Sequence, residues 1–180
     1  MYPVALITYN RAFHTYKTLE ALSKNPEAKD TDLYVFSDGP KGSQDEEEIE
    51  STLKVIQKFK RSFHNVIISK SDKNNGTAKN IRNALRSIFF DHEINACIIL
   101  EDDILTSTDF LFFMNTALEK FKQNKKIWHI SGFNYPVINE KSNSFINDAF
   151  FWRVMTCWGW ATWKDRYENF ENDVLAKDPY

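Results

Sequence analysis

Apolar residues fall along this chain in two alternating rhythms. Val4-Ala5-Leu6-Ile7, Leu33-Tyr34-Val35-Phe36, Val66-Ile67-Ile68-Ser69 and Ala96-Cys97-Ile98-Ile99-Leu100 are short runs with little or no polar interruption. Such runs suit strands covered on both faces. Between them the spacing changes to three and four. A helix is expected over about 12–24, a second carries Ile49, Leu53, Ile56, Phe59 and Phe63, and a third Ala78, Ile81, Leu85 and Ile88. A fourth runs through Phe110, Phe113, Ala117, Leu118 and Phe121, and Ile127-Trp128-His129-Ile130-Ser131 reads as a fifth strand. Ser43 with Glu46 three residues later has the form of a capping box, and Asp45, Glu46 and Glu47 suit the positive end of a helix dipole. Strands alternating with helices predict an α/β fold, a three-layer α/β/α sandwich around a mainly parallel sheet. No repeat, linker or low-complexity tract interrupts the pattern, and 180 residues suit one domain.

Polar residues collect where the strands end. Thr8-Tyr9-Asn10-Arg11 follows the first strand, Ser37-Asp38-Gly39 the second, Asn75-Gly76 the third and Glu101-Asp102-Asp103 the fourth. In open α/β sheets ligands bind beyond the carboxyl ends of the strands. Three adjacent carboxylates repel one another, and a hard divalent cation such as Mg2+ or Mn2+ would offset the repulsion. Alone, the tripeptide suits a solvated acidic turn as well. Convergence of four polar strand ends on one crevice favours a ligand site. Arg11 could reach a diphosphate, Asp38 could accept from a base N–H, and a metal on Asp103 could bridge phosphates. Lys79, Asn80 and Arg82 lie on the helix after Asn75-Gly76, whose first turn could face an anion; Lys79 and Arg82 suit a solvated face equally.

Composition narrows the partners. A net charge of -2 and a pI near 6.1 argue against a nucleic-acid protein held by phosphate contacts. Cys97 and Cys157 show neither metal spacing nor a disulfide framework, so a reducing, cytoplasmic setting is expected. His14, His64, His92 and His129 form no pair at ligand spacing. No stretch approaches the roughly 18 apolar residues of a spanning helix, which leaves only peripheral membrane contact open. Aromatic residues make up 15% and crowd late in the chain, at Phe150, Phe151, Trp152, Trp158, Trp160 and Trp163. They suit a pack sealing the sheet, or a wall against which sugar rings stack.

The series ALITYNR, VFSDGP, NNGTAKNIRNAL, IILEDDILTSTDFLFFMN and CWGWATW resembles the GT-A fold nucleotide-sugar glycosyltransferases. Within them it is most similar to N-acetylglucosaminyltransferase I and related bacterial sugar transferases, over about residues 3 to 170. The resemblance implies that Thr8, Asn10 and Arg11 line the base and phosphate part of a donor site. It implies that Asp38 contacts the uracil of a UDP-sugar, that Asn80 contacts the donor, and that Glu101 and Asp102 contact ribose and sugar. Asp103 would then ligate Mn2+ or Mg2+, and Gly159 and Trp160 would lie on the acceptor side, with a glycan or lipid-linked acceptor. The motif here is Glu-Asp-Asp and departs from the commoner Asp-x-Asp.

An inverting transferase also needs a carboxylate base for the acceptor hydroxyl. The resembled family carries it beyond the Gly-Trp segment, where this chain offers no clear counterpart; Asp165 and Glu168 sit at helical spacing and suit an exposed face. The expected organisation is one GT-A-like domain, incomplete at its C-terminus, with a donor part over 1–135 and an aromatic acceptor-side segment over 136–180. Three rivals stand beside this reading. A non-catalytic nucleotide-sugar-binding domain would need no base. A nucleotidyltransferase would share the sheet and metal, but no glycine-rich phosphate loop is present. A receiver-like phosphorylation module would need an acidic pair after the first strand, where Thr8-Tyr9-Asn10 stands.

Overall fold

The computed structural model describes residues 1–135 and 149–177, with side chains as far as 173. The segment expected on the acceptor side therefore falls partly outside the described residues, at 136–148 and 178–180. Among the described residues six strands form one sheet: β1 (Val4–Thr8), β2 (Leu33–Ser37), β3 (Val66–Lys70), β4 (Ala96–Glu101), β5 (Ile130–Ser131) and β6 (Trp160–Trp163). Their order across the sheet is β3-β2-β1-β4-β6-β5. The first four run parallel, and β6 pairs antiparallel with both β4 and β5.

Alternation along each strand divides the core into two layers, because successive side chains point to opposite faces. Val4, Leu6, Leu33, Val35, Ile98 and Leu100 face one side, under the helices α1 (Ala12–Leu22), α2 (Gln44–Lys58) and α4 (Phe110–Phe121). Ala5, Ile7, Phe36, Cys97 and Ile99 face the other, under α3 (Thr77–Arg86), the π-turn Ser87–Asp91 and Tyr167 of α5 (Lys164–Lys177). The sandwich is thus three-layered. Chain direction explains where the early helices go. The steps from β1 to β2 and from β2 to β3 move one way along the sheet, so right-handed crossovers put α1 and α2 on one face. The step from β3 to β4 moves the other way and puts α3 on the opposite face. The reversal opens a crevice between β1 and β4, which is where a ligand fits such a sheet.

Three local expectations change. The first helix ends at Leu22, and only Ile130–Ser131 of the fifth run pairs as a strand, beside β6 and not beside β4. The capping box at α2 does not form: Ser43 has helical angles and makes no side-chain cap bond. Asp45 serves that turn instead, accepting the Lys41 N–H at 2.9 Å and the Tyr9 hydroxyl at 2.5 Å.

Candidate active site

Register sets the site. Ile7 of β1 stands opposite Glu101 of β4, so the Thr8–Arg11 turn and the acidic tripeptide leave the sheet side by side. Arg11 turns its guanidinium back across the gap, onto Asp102 and, at 3.0 Å, onto Asp103. Asp102 is buried and also accepts the Tyr9 N–H at 3.4 Å, whereas Asp103 is largely exposed. Burial pushes the Asp102 carboxyl above its usual range and Arg11 opposes that shift. Glu101, half-buried, is likewise raised by burial and then by the charges of Asp103 and Asp102.

One side of this cluster is a narrow crevice of about 100 Å³, walled by Thr8, Tyr9, Arg11, Asp38, Asn80 and Asp102. Its far wall is two interlocked loops. Asp38, at 4% exposure, accepts the backbone N–H groups of Gly39 at 3.0 Å, Asn75 at 2.8 Å and Gly76 at 2.9 Å. Gly39 must be glycine, because a Cβ there would lie 2.5 Å from the Lys73 backbone. Gly76, at φ +76°, turns the chain into α3. Asn80 is buried and donates to the Phe36 carbonyl at 3.2 Å. Thr8 Oγ1 is buried and has no partner among the described residues.

The expected site residues separate accordingly. Thr8, Arg11, Asp38, Asn80, Glu101 and Asp102 line the crevice together. Asn10 does not: its amide reaches Glu48 at 2.9 Å and Asp45 at 3.5 Å on α2. Tyr9 takes its place on the wall, with its hydroxyl on Asp45 and Lys41 Nζ 5.7 Å from its ring centre. The Tyr9 hydroxyl, and then the Lys41 N–H, hold the Asp45 carboxyl below its usual range. Lys79 and Arg82 are exposed and line neither wall.

On the other side of Asp103 lies a wider cleft of about 410 Å³. Leu105, Thr106, Phe110, Phe133 and Trp158 line it, and Gly132 joins its floor. Gly159 reaches the same place: a Cβ there would lie 3.2 Å from the Phe110 ring, at a φ of +70°. Trp160 packs on the opposite face of the sheet, against the layer of Ala5 and Ile99. The cleft tryptophan is Trp158, which the run of tryptophans in the sequence could not single out from its neighbours. Asp165 and Glu168 sit elsewhere. Trp163 pairs with Ala96, the first residue of β4, so the α5 start lies at the edge of the sheet away from Glu101.

The described residues bring no three His, Cys, Asp or Glu side chains together as a metal cage. Asp103 offers an exposed carboxylate oxygen, a donor of the type that hard cations take. No described helix is long and apolar enough to cross a membrane.

Comparison with known proteins agrees with the fold. The chain resembles TarS from S. aureus with a TM-score of 0.53 at 17% identity, over 68% of this chain and 20% of that one. A TarS 1-349 structure gives 0.53 at 18% identity, over 68% of this chain and 33% of that one. The chain therefore spans a third or less of either TarS chain. A 4-diphosphocytidyl-2C-methyl-D-erythritol synthase from Anaerococcus prevotii gives 0.52 at 13% identity, over 98% of this chain and 77% of that one. At these identities the likeness is one of fold. No curated protein matches the chain. The profile of the GNT-I family matches residues 1–168, which takes in every strand, both loops around Asp38, the acidic tripeptide and the Gly-Trp segment, and the chain belongs to this family of glycosyltransferases.

Proposed function

We propose that this chain forms the donor-binding part of a metal-dependent, inverting glycosyltransferase that moves a sugar from UDP to a glycan or lipid-linked acceptor. The observation that carries it is the placement of Arg11, Asp102 and Asp103 between a polar crevice and an aromatic cleft. A nucleotide in the crevice puts its diphosphate at that boundary and its sugar toward the cleft.

The residues divide the work. Asp38 fixes the two loops that would frame the base, and its Oδ2, which accepts the Gly76 N–H, keeps a lone pair for a base N–H. Thr8 Oγ1 is unpartnered but buried, so it would bond the nucleotide only after a side-chain rotation toward the crevice. Arg11 bridges Asp102 and Asp103 and offsets part of their charge in the free protein, and its guanidinium fork suits a diphosphate once the donor enters. Asp103, the exposed carboxylate, would hold Mg2+ or Mn2+, which supplies charge neutralisation for the departing diphosphate. The acceptor hydroxyl still needs a base. Asp165 and Glu168 do not serve, because they stand at the far edge of the sheet.

Calorimetry tests this with UDP, Mn2+ or EDTA, and Asp103→Ala. UDP binding that requires Mn2+ and weakens at least roughly tenfold in Asp103→Ala supports the reading. Binding indifferent to EDTA and to the substitution overturns it. Likeness in fold to the synthase favours a second reading, nucleotidyl transfer. Pyrophosphate release from CTP or UTP with a phosphorylated sugar or polyol would select that one, and UDP release from a UDP-sugar would select the first.

A further inference from the structure

We propose that residues 149–155, together with the lysines at the end of α4, form a docking surface for an anionic lipid bilayer. The surface stands apart from the nucleotide site. Only its use, holding the transferase over a membrane-borne acceptor, rests on the proposed function.

Residues 149–155 read Ala-Phe-Phe-Trp-Arg-Val-Met, and every one of them is exposed. Phe151 is 75% and Trp152 64% open to solvent. An apolar run that packs against so little marks a surface for another body. Phe151 fixes its place in the fold, because its ring meets Phe121 edge-on at 5.6 Å, at the end of α4. Phe150 and Trp152 stand edge to face, 5.9 Å apart.

Charge identifies that body. Around Phe121 the chain carries Lys120, Lys122, Lys125 and Lys126, all exposed, against one carboxylate, Glu119. Arg153 adds a cation within the apolar run itself. Glu119 bonds Lys122, and Asp165 bonds Lys125 at 2.5 Å. Lys120 and Lys126 pair with no carboxylate among the described residues, and Lys120 Nζ lies 5.7 Å from the Phe121 ring centre. The whole chain carries a net charge of -2, so the excess of positive charge is local and calls for an anionic partner. Interfaces between proteins enrich aromatic residues and Arg but deplete Lys. Phe and Trp set among several Lys match instead the boundary of an anionic bilayer. There the rings enter the headgroup region and the lysines meet lipid phosphates.

The surface leads to the cleft. Thr156, the next residue after the run, donates to the Phe133 carbonyl at 3.1 Å and bonds the Ser131 hydroxyl. Phe133 and Trp158 line the cleft beyond Asp103. Phe110 of that cleft and Phe121 are the two ends of α4, a 12-residue helix, and stand about 17 Å apart along it. A bilayer seated on this surface brings the cleft close to an acceptor carried on a lipid headgroup.

Vesicle sedimentation of the full chain decides it. The probes are vesicles of phosphatidylcholine alone, and of phosphatidylcholine with roughly a third phosphatidylglycerol. The chain should sediment with the mixed vesicles and bind the neutral ones at least roughly tenfold more weakly. Added salt should release it. Phe151→Ser with Trp152→Ser should abolish binding, and Lys120→Gln with Lys126→Gln should weaken it roughly tenfold. Phe13→Ser, at an exposed aromatic on α1, should leave it unchanged. No binding of the parent chain to the mixed vesicles overturns the proposal, and so does binding that survives both double variants. A dimer by light scattering that binds no vesicles and that the Phe151 and Trp152 substitutions dissociate would make the surface a contact between two copies, and the bilayer assignment falls. UDP calorimetry on the same variants should match the parent, so a failed nucleotide site and a failed membrane surface give different results. Circular dichroism confirms that the variants fold, and the exposed lysine pair decides the matter alone if the aromatic pair does not.

Discussion

The crevice, which ends at Asp102, and the cleft, which begins at Asp103, are built on opposite principles. In the crevice, the protein's polar groups are mostly satisfied by one another: Asp38 by three backbone N–H groups, Asp102 by Arg11 and Tyr9, Asn80 by the Phe36 carbonyl. In the cleft, aromatic rings stand exposed. The crevice grows from the ends of the parallel strands β1 to β4, and the cleft from the loop after β4, the start of α4 and the segments flanking β5 and β6. A ligand entering the crevice must displace existing bonds, above all those of Arg11. One entering the cleft covers rings that already stand exposed. The test of this difference is whether each part can be broken without the other.

The largest effect is expected at Asp38. Asp38→Ala leaves three backbone N–H groups without their acceptor, at a cost of about 3–5 kcal/mol in stability by urea unfolding. Asp38→Asn keeps one oxygen and should cost less. UDP binding should vanish in the alanine variant. If stability falls by less than about 1 kcal/mol and UDP still binds, the two loops hold themselves and the crevice is not organised through this carboxylate.

Arg166 is the corresponding anchor of the appended part. It is buried, donates to the Lys122 carbonyl at 2.8 Å and the Ile127 carbonyl at 3.3 Å, and so closes the C-terminal end of α4. It also lies 4.3 Å from the Trp163 ring centre and bonds Asp165 at 2.6 Å. Arg166→Ala should cost about 2–3 kcal/mol, because those carbonyls lose a charged donor at the negative end of a helix. The prediction is asymmetric: the part of the tryptophan emission that Trp158→Phe removes should report unfolding first, with UDP binding persisting beyond it. Simultaneous loss of both would mean one cooperative unit, and the distinction between the two regions would be one of chemistry alone.

The same divide explains what the sequence reveals. β1, β2 and β4 are apolar runs long enough to be read locally, and their polar ends fall at one edge because parallel strands share a direction. The acidic tripeptide and Arg11 are legible for that reason. β6 is not. Trp160-Ala161-Thr162-Trp163 is four residues, and its place between β4 and β5 depends on antiparallel pairing with segments far away in the chain. Trp160 and Trp163 consequently face opposite layers, which no run of tryptophans announces. Local signals also yield to distant partners. The Ser43 capping pattern is overridden by Tyr9 bonding Asp45, and Asn10 is drawn from the crevice onto α2 by Glu48.

The smallest effect sharpens the comparison most. His129 sits half-buried just before β5, and burial holds its imidazole below the ordinary value of 6.5. The folded state therefore resists protonation more than the unfolded chain does. Its contribution is complete above the unfolded value and is lost as pH falls through the folded one, so acidification below about pH 6 should loosen the β5 edge. His129→Gln removes that contribution, and the parent-minus-variant difference in Tm between pH 7 and 5 isolates it from the other three histidines. The part of the tryptophan emission that Trp158→Phe removes should follow this difference while UDP affinity does not. An equal response on both sides would place His129 in the stability of the whole sheet, and a response in the cleft alone would mark β5 and its aromatic wall as a separately opening unit.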